Sequence, residues 1–174
     1  AGIVSTGDTV YASTDNLYVA TQNWDWRWGG AVPLDTEGWA PEEQQGPPPT
    51  SIHQFRLDSG TAATYVASGQ VEGRLLNQFA MSEYNGDLRV ATTTDDWGEF
   101  GGQSESTVFV LRPDGDQLRQ ISSVDGLGKG EQIYAVRFLG NLGYVVTFRQ
   151  IDPLYVIDLT DPANPVEAGE LKIP

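Results

Sequence analysis

Carboxylates and tryptophans crowd two stretches of this sequence. The stretch "TTDDWGEF" carries Asp95, Asp96 and Glu99 around Trp97. The stretch "QNWDWRWGGAVPLDTEGWAPEEQQGPPP" carries Trp24, Trp26, Trp28 and Trp39 among Asp25, Asp35, Glu37, Glu42 and Glu43. Together they hold all 5 tryptophans of the chain. Indole faces stack on sugar rings or cover apolar partner surface, and they bring large area at little entropic cost. The first chemistry expected is therefore binding of a protein or glycan through Trp24, Trp26, Trp28, Trp39 and Trp97. The competing reading is that the indoles fold back and cap the sheets, because a long loop needs a small core of its own. "NWDWRW" alternates aromatic and polar residues, which also suits a strand with one buried face. Oxygen-rich loops suit calcium, with Asp95, Asp96 and Glu99 as candidate ligands. The twelve-residue calcium-loop pattern is absent, however, and solvated acidic loops are the plainer account. A polysaccharide hydrolase or lyase also needs two carboxylates, but no spacing here selects a pair.

Other chemistries lack their residues. With no cysteine there is no disulfide, thiolate nucleophile or Cys-ligated metal. His53 is the single histidine, so a zinc site or a Ser-His-Asp triad is not expected. It occupies the place of Phe109 and Tyr155 in the aligned third strands below and reads as an aromatic substitute. No G-x-S-x-G or Walker-type loop occurs. "GLGKGE" at Gly126 to Glu131 has no helix to follow and reads as a turn; "DGD" at Asp114 to Asp116 reads as a hairpin turn. "APEEQQGPPPT" at Ala40 to Thr50 reads as a stiff extended spacer.

The elements that must position these stretches emerge from a repeat. "LYVAT" from Leu17, "LRVAT" from Leu88 and "GYVVT" from Gly143 share one pattern. Each follows a turn signal, at Asp15-Asn16, Asn85-Gly86 and Gly140-Asn141, where Asn and Gly tolerate positive φ. Before each turn stands another β-rich run: "TVYAS", "FAMSEY" and "IYAVRF". A third run follows as "SIHQFRL", "TVFVLRP" and "PLYVIDL", and an Asp-centred turn then leads to a more polar fourth. "GRLLNQFAMSEY" has some helical character, but its place before an Asn-Gly turn argues for a strand. Four strands recurring three times, at about 40–50 residues per repeat once insertions are removed, predict an all-β β-propeller. It would contain about three four-stranded antiparallel blades of a larger ring. The approximate blades are 1–73, 74–130 and 131–174. The acidic and Trp-bearing stretches are the links from second to third strand in the first two blades, and should emerge on the face of the blade-to-blade connections. Loops on a rigid scaffold commonly bind partners there.

Composition narrows the partners. The formal charge of -14 argues against unaided nucleic-acid binding, which rests on Lys and Arg. It argues equally against adsorption to anionic lipid. It fits a soluble, self-repelling or cation-attracting protein, or one from a salty habitat. No segment approaches the roughly 20 apolar residues of a membrane span. The sequence opens on Ala1 rather than Met and shows no signal peptide, which reads as a processed product or an excised piece.

The blocks above carry a family resemblance. "PLYVIDLTDPANPVEAGEL" resembles the LVIVD-type repeat of bacterial and archaeal secreted propellers. "ASTDNLYVATQNW" with "TSIHQFRLDSG", then "GQVEGRLLNQFAMSEYNGDLRVATTT", resembles the secreted β-propeller domain family of prokaryotes. The resemblance covers nearly the whole chain and implies a secreted or cell-surface setting. Family members look longer than this chain. Three blades would leave two sheet faces open, to be met by a second copy in a homodimer or by the rest of a longer propeller. The family brings no catalytic residues with it. The function expected is a non-enzymatic binding module, with a carboxylate-using hydrolase or lyase and a structural self-assembling module as the alternatives.

Overall fold

The computed structural model describes residues 9–22, 49–57, 62–94, 104–148 and 152–173. Their strands are β1 (Thr9–Ala12), β2 (Asn16–Gln22), β3 (Thr50–Leu57), β4 (Ala63–Val71), β5 (Met81–Tyr84), β6 (Asp87–Thr94), β7 (Glu105–Asp114), β8 (Gln117–Leu127), β9 (Gln132–Leu139), β10 (Leu142–Phe148), β11 (Asp152–Asp158) and β12 (Val166–Ile173). They form three antiparallel meanders of four strands, β1 to β4, β5 to β8 and β9 to β12. The protein is all-β, built as the blades of a propeller.

Turn chemistry separates the strands. Asn85 and Gly86 have φ of 53° and 85°, the two positive values that a type I′ hairpin turn requires. The turn between β11 and β12 is held by Asp161, which accepts from the Ala163 amide at 3.0 Å and from Asn164 Nδ2 at 2.8 Å. The Asn164 side chain and then that amide hold the Asp161 carboxyl below its ordinary range. Local helical tendency wins at one place. Asn77 Oδ1 accepts from the Phe79 amide at 2.9 Å and caps a 3-10 turn at Gln78–Ala80, so the strand expected from Phe79 begins at Met81.

Blades pack face to face through two apolar layers. Between blades 1 and 2, Tyr18, Ala20 and Ile52 meet Leu88, Val90 and Leu111. Between blades 2 and 3, Ala91, Val108 and Val110 meet Val136, Val145 and Ile157. Full burial of the Val, Leu and Ile side chains contributes roughly 1.5–3 kcal/mol each. Blade 2 is the middle layer, so β6 is buried along nearly its whole length. In β10 the same pattern alternates instead, with Gly143, Val145 and Thr147 buried and their neighbours less so. The far face of blade 3 carries Tyr134 at 71%, Phe148 at 49% and Leu171 at 59% exposure.

The outer edges of blades 1 and 2 also touch. Ser68 on β4 pairs with Gln117 on β8 in parallel, and its amide donates to Asp116 O at 3.0 Å. This contact merges the two blades into one eight-stranded sheet. Gly69 permits it, because a Cβ there would stand 2.2 Å from Leu118 O.

Candidate functional site

The two interrupted links leave from the same rim. Gln22 at the end of β2 pairs with Thr50 at the start of β3, so the chain leaves and returns side by side around residues 23–48. Thr94 pairs with Glu105 in the same way around residues 95–103. Both anchors are tied to the connectors between blades. Thr50 Oγ1 donates to Gly73 O at 2.6 Å, and Thr92 Oγ1 donates to Glu72 O at 2.7 Å. Ser104 Oγ donates to Glu131 O at 2.8 Å, and the Gly130 amide donates to Ser104 O at 2.6 Å. The links therefore share a face with the blade-to-blade connections. The buried Thr50 and Thr92 hydroxyls hold the stubs, since an unpaired polar group at such depth would cost free energy.

Trp24, Trp26, Trp28, Trp39 and Trp97 lie outside the described residues, as do Asp95, Asp96 and Glu99. No cluster of three or more metal-ligating His, Asp or Glu side chains occurs among the described residues. Among those residues, no helix is long and apolar enough to cross a membrane. His53 is half-buried, opposite Val19 and Ser68 in the sheet, on the face of blade 1 turned away from blade 2. Its equivalents Phe109 and Tyr155 sit on the corresponding faces of blades 2 and 3, in the layers against blades 1 and 2.

Polar staples lock neighbouring blades at the opposite rim. Glu83 on β5 accepts from Ser13 Oγ at 2.6 Å and from Asn16 Nδ2 at 3.0 Å on both oxygens, which grips the first turn of blade 1. Its amide donates to Tyr11 Oη at 3.0 Å. The Tyr18 hydroxyl is buried beside Glu83, and burial first, then the Glu83 carboxylate, pushes that phenol far above its ordinary value.

At the next interface the gripping residue is a cation. Arg89 is 4% exposed. Its Nε donates to Ser82 O at 3.4 Å, its Nη2 to Ser82 Oγ at 2.7 Å, and its Nη1 to Gly140 O on the first turn of blade 3. The guanidinium carbon lies 5.0 Å from the ring centres of both Tyr84 and Phe138. Burial pushes the Arg89 pKa below its ordinary value. Beside it opens a cavity of about 420 Å³, lined by Tyr84, Asn85, Asp87, Val110, Asn141, Leu159, Thr160 and Pro162. Asp87 is held at both oxygens by Arg112, at 2.7 Å each. The sequence carries a signal for this site: Arg89 stands where the other two repeats have Tyr18 and Tyr144. Only packing shows that the exception lines a cavity.

Comparison with known proteins follows the same outline. The "Beta propeller domain" family model matches residues 1–174. An uncharacterized protein of Methanocaldococcus jannaschii is 50% identical over 125 residues, which is 72% of this chain and 19% of that protein. An uncharacterized protein of Archaeoglobus fulgidus is 51% identical over 104 residues, 60% of this chain and 15% of that one. The chain thus spans less than a fifth of the curated relatives it matches. No solved structure matches it. Three four-stranded blades stacked on two shared apolar layers, and a family model that matches from end to end, place this chain in the β-propeller domain family.

Proposed function

We propose that this chain is a non-enzymatic binding module that captures a protein or glycan partner through the rim carrying residues 23–48 and 95–103. The observation that supports it is the anchoring. Both stretches that interrupt the repeat leave and return at hydrogen-bonded strand pairs on one rim, Gln22 with Thr50 and Thr94 with Glu105. All 5 tryptophans lie in those two stretches. A rigid sheet that presents aromatic-rich segments from one face is the usual arrangement of a recognition surface. The resemblance to secreted prokaryotic propellers extends the proposal to a secreted or cell-surface setting. Calcium held by Asp95, Asp96 and Glu99 belongs to the same proposal.

The test is capture. Immobilised chain is presented to a glycan library and to surface extracts of the source cells, beside a triple variant with Trp26, Trp28 and Trp97 replaced by Ala. Circular dichroism should be unchanged and capture should be lost, by about tenfold or more for each binding indole removed. Capture undiminished in the triple variant removes the indoles from the function.

A further inference from the structure

The cavity beside Arg89 has no part in the reading above. It opens at the rim of the first turns, Asn85 and Asn141, whereas residues 23–48 and 95–103 leave from the other rim. Its charge is unusual. A guanidinium has five N–H donors and keeps its charge at any ordinary pH. Arg89 uses three of them, on Ser82 O, Ser82 Oγ and Gly140 O, which leaves one N–H on each terminal nitrogen without a partner among the described residues. None of the ion pairs among the described residues includes Arg89. Asp87 lies in the same wall but is neutralised by Arg112, whose Nε and Nη2 hold both of its oxygens. Tyr84 is the remaining titratable side chain in the wall. A buried cation balanced only by dipoles and ring faces retains an unmet demand for an anion.

We infer that this cavity is a binding site for a small carboxylate on an apolar body, with the carboxylate on Arg89 and the body against Val110, Leu159 and Pro162. Carboxylate fits better than phosphate because one planar fork offers two N–H groups and no second cation stands in the wall to meet a dianion. Asn141 and Thr160, which are hydrogen-bonded to each other, lie at the mouth and supply polar groups for the ligand's outer edge. The overall charge of -14 repels anions at a distance, so the selectivity must be local to this pocket.

The experiment uses the nitrogen-15-labelled chain and follows the Arg89 Nε–H resonance. Sodium benzoate is the probe, with benzamide and inorganic phosphate as controls. Benzoate should move the resonance saturably at millimolar concentration. Benzamide and phosphate should bind about tenfold more weakly or worse. Arg89→Lys should weaken benzoate by a similar factor. Should that variant fail to fold, the double variant Asn141→Ala and Thr160→Ala removes only rim side chains, and it should weaken benzoate by about threefold. An Arg89 resonance unmoved by benzoate overturns the inference, as does an equal response to benzamide or to phosphate. Because benzoate is read at Arg89 and partner capture at the tryptophans, failure of either leaves the other standing.

Discussion

Replacing Gly69 by Ala tests the seam between blades 1 and 2. The backbone of Gly69 is ordinary, with no positive φ, so alanine meets no conformational penalty there. If the site had room, Gly→Ala would stabilise the protein by about 0.4–1 kcal/mol, because it stiffens the unfolded chain. The structure predicts the opposite sign. The new Cβ would stand 2.2 Å from Leu118 O, 2.9 Å from Leu118 Cβ and 3.1 Å from Leu118 C. Two of the three atoms belong to backbone that β8 holds in a ladder, so no side-chain rotation relieves the clash. The strands must part, and the bond from the Ser68 amide to Asp116 O, now 3.0 Å, goes with them. Overpacking of this kind costs about 1–3 kcal/mol. The lost hydrogen bond adds about 1 kcal/mol. Set against the gain from the stiffer unfolded chain, a net loss of about 1–3 kcal/mol remains, which lowers the Tm of a chain this size by roughly 2–12 °C. Calorimetry measures the shift, and amide exchange should show Ser68 protection falling more than that of Ala91 in the middle blade. A Tm that stays level or rises would refute the seam geometry.

Two further outcomes follow from the staples and the buried phenols. Glu83→Ala strips the acceptor from Ser13 and Asn16 at the blade 1–2 interface and should cost about 2–3 kcal/mol in urea unfolding, with Glu83→Gln losing about half as much; an unchanged midpoint in Glu83→Ala would show that the turn of blade 1 is held by apolar packing alone. Burial raises the Tyr18 phenol far above its ordinary value, with Glu83 adding to it, and burial also raises Tyr155 against the opposing hydrogen bond from the Gly128 amide. The unfolded chain therefore releases these two protons first, so the stability contribution is whole below about pH 10 and drains away as pH climbs above it. Phenolate absorbance should lag for Tyr18 and Tyr155, and Tyr18→Phe should flatten the alkaline decline in the urea midpoint; a decline of the same steepness would place its cause elsewhere.

Much of the architecture is legible in the sequence. The three Val-(Ala or Val)-Thr stretches fall in β2, β6 and β10, and the Asn85-Gly86 signal is a hairpin turn with both φ values positive. His53, Phe109 and Tyr155 keep equivalent positions, as their alignment predicted. The reason is that strand periodicity and turn conformation are local: they depend on side-chain alternation and on which residues tolerate positive φ. The start of β5 departs from the sequence pattern for an equally local reason, the Asn77 cap that turns Gln78–Ala80 into a 3-10 turn before the strand begins.

Near-identical repeats nevertheless differ in their surroundings, and that difference belongs to the tertiary structure. "LRVAT" is buried on both faces and "GYVVT" mainly on one, because blade 2 lies between two neighbours and blade 3 is covered on one side among the described residues. Gly69 in "ASGQV" resembles any flexible strand residue until β8 brings Leu118 against it. Arg89 was visible as a break in a Tyr-Arg-Tyr series, yet its burial, its grip on Gly140 and its cavity exist only where two blades meet. The sequence by itself determined the repeat, the propeller family and, among the described residues, most of the strands, since each is written within a few neighbouring residues. Which faces are sealed, which glycine is indispensable and where an unmatched charge is held were decided by contacts between residues roughly 50 positions apart, set by how blades stack.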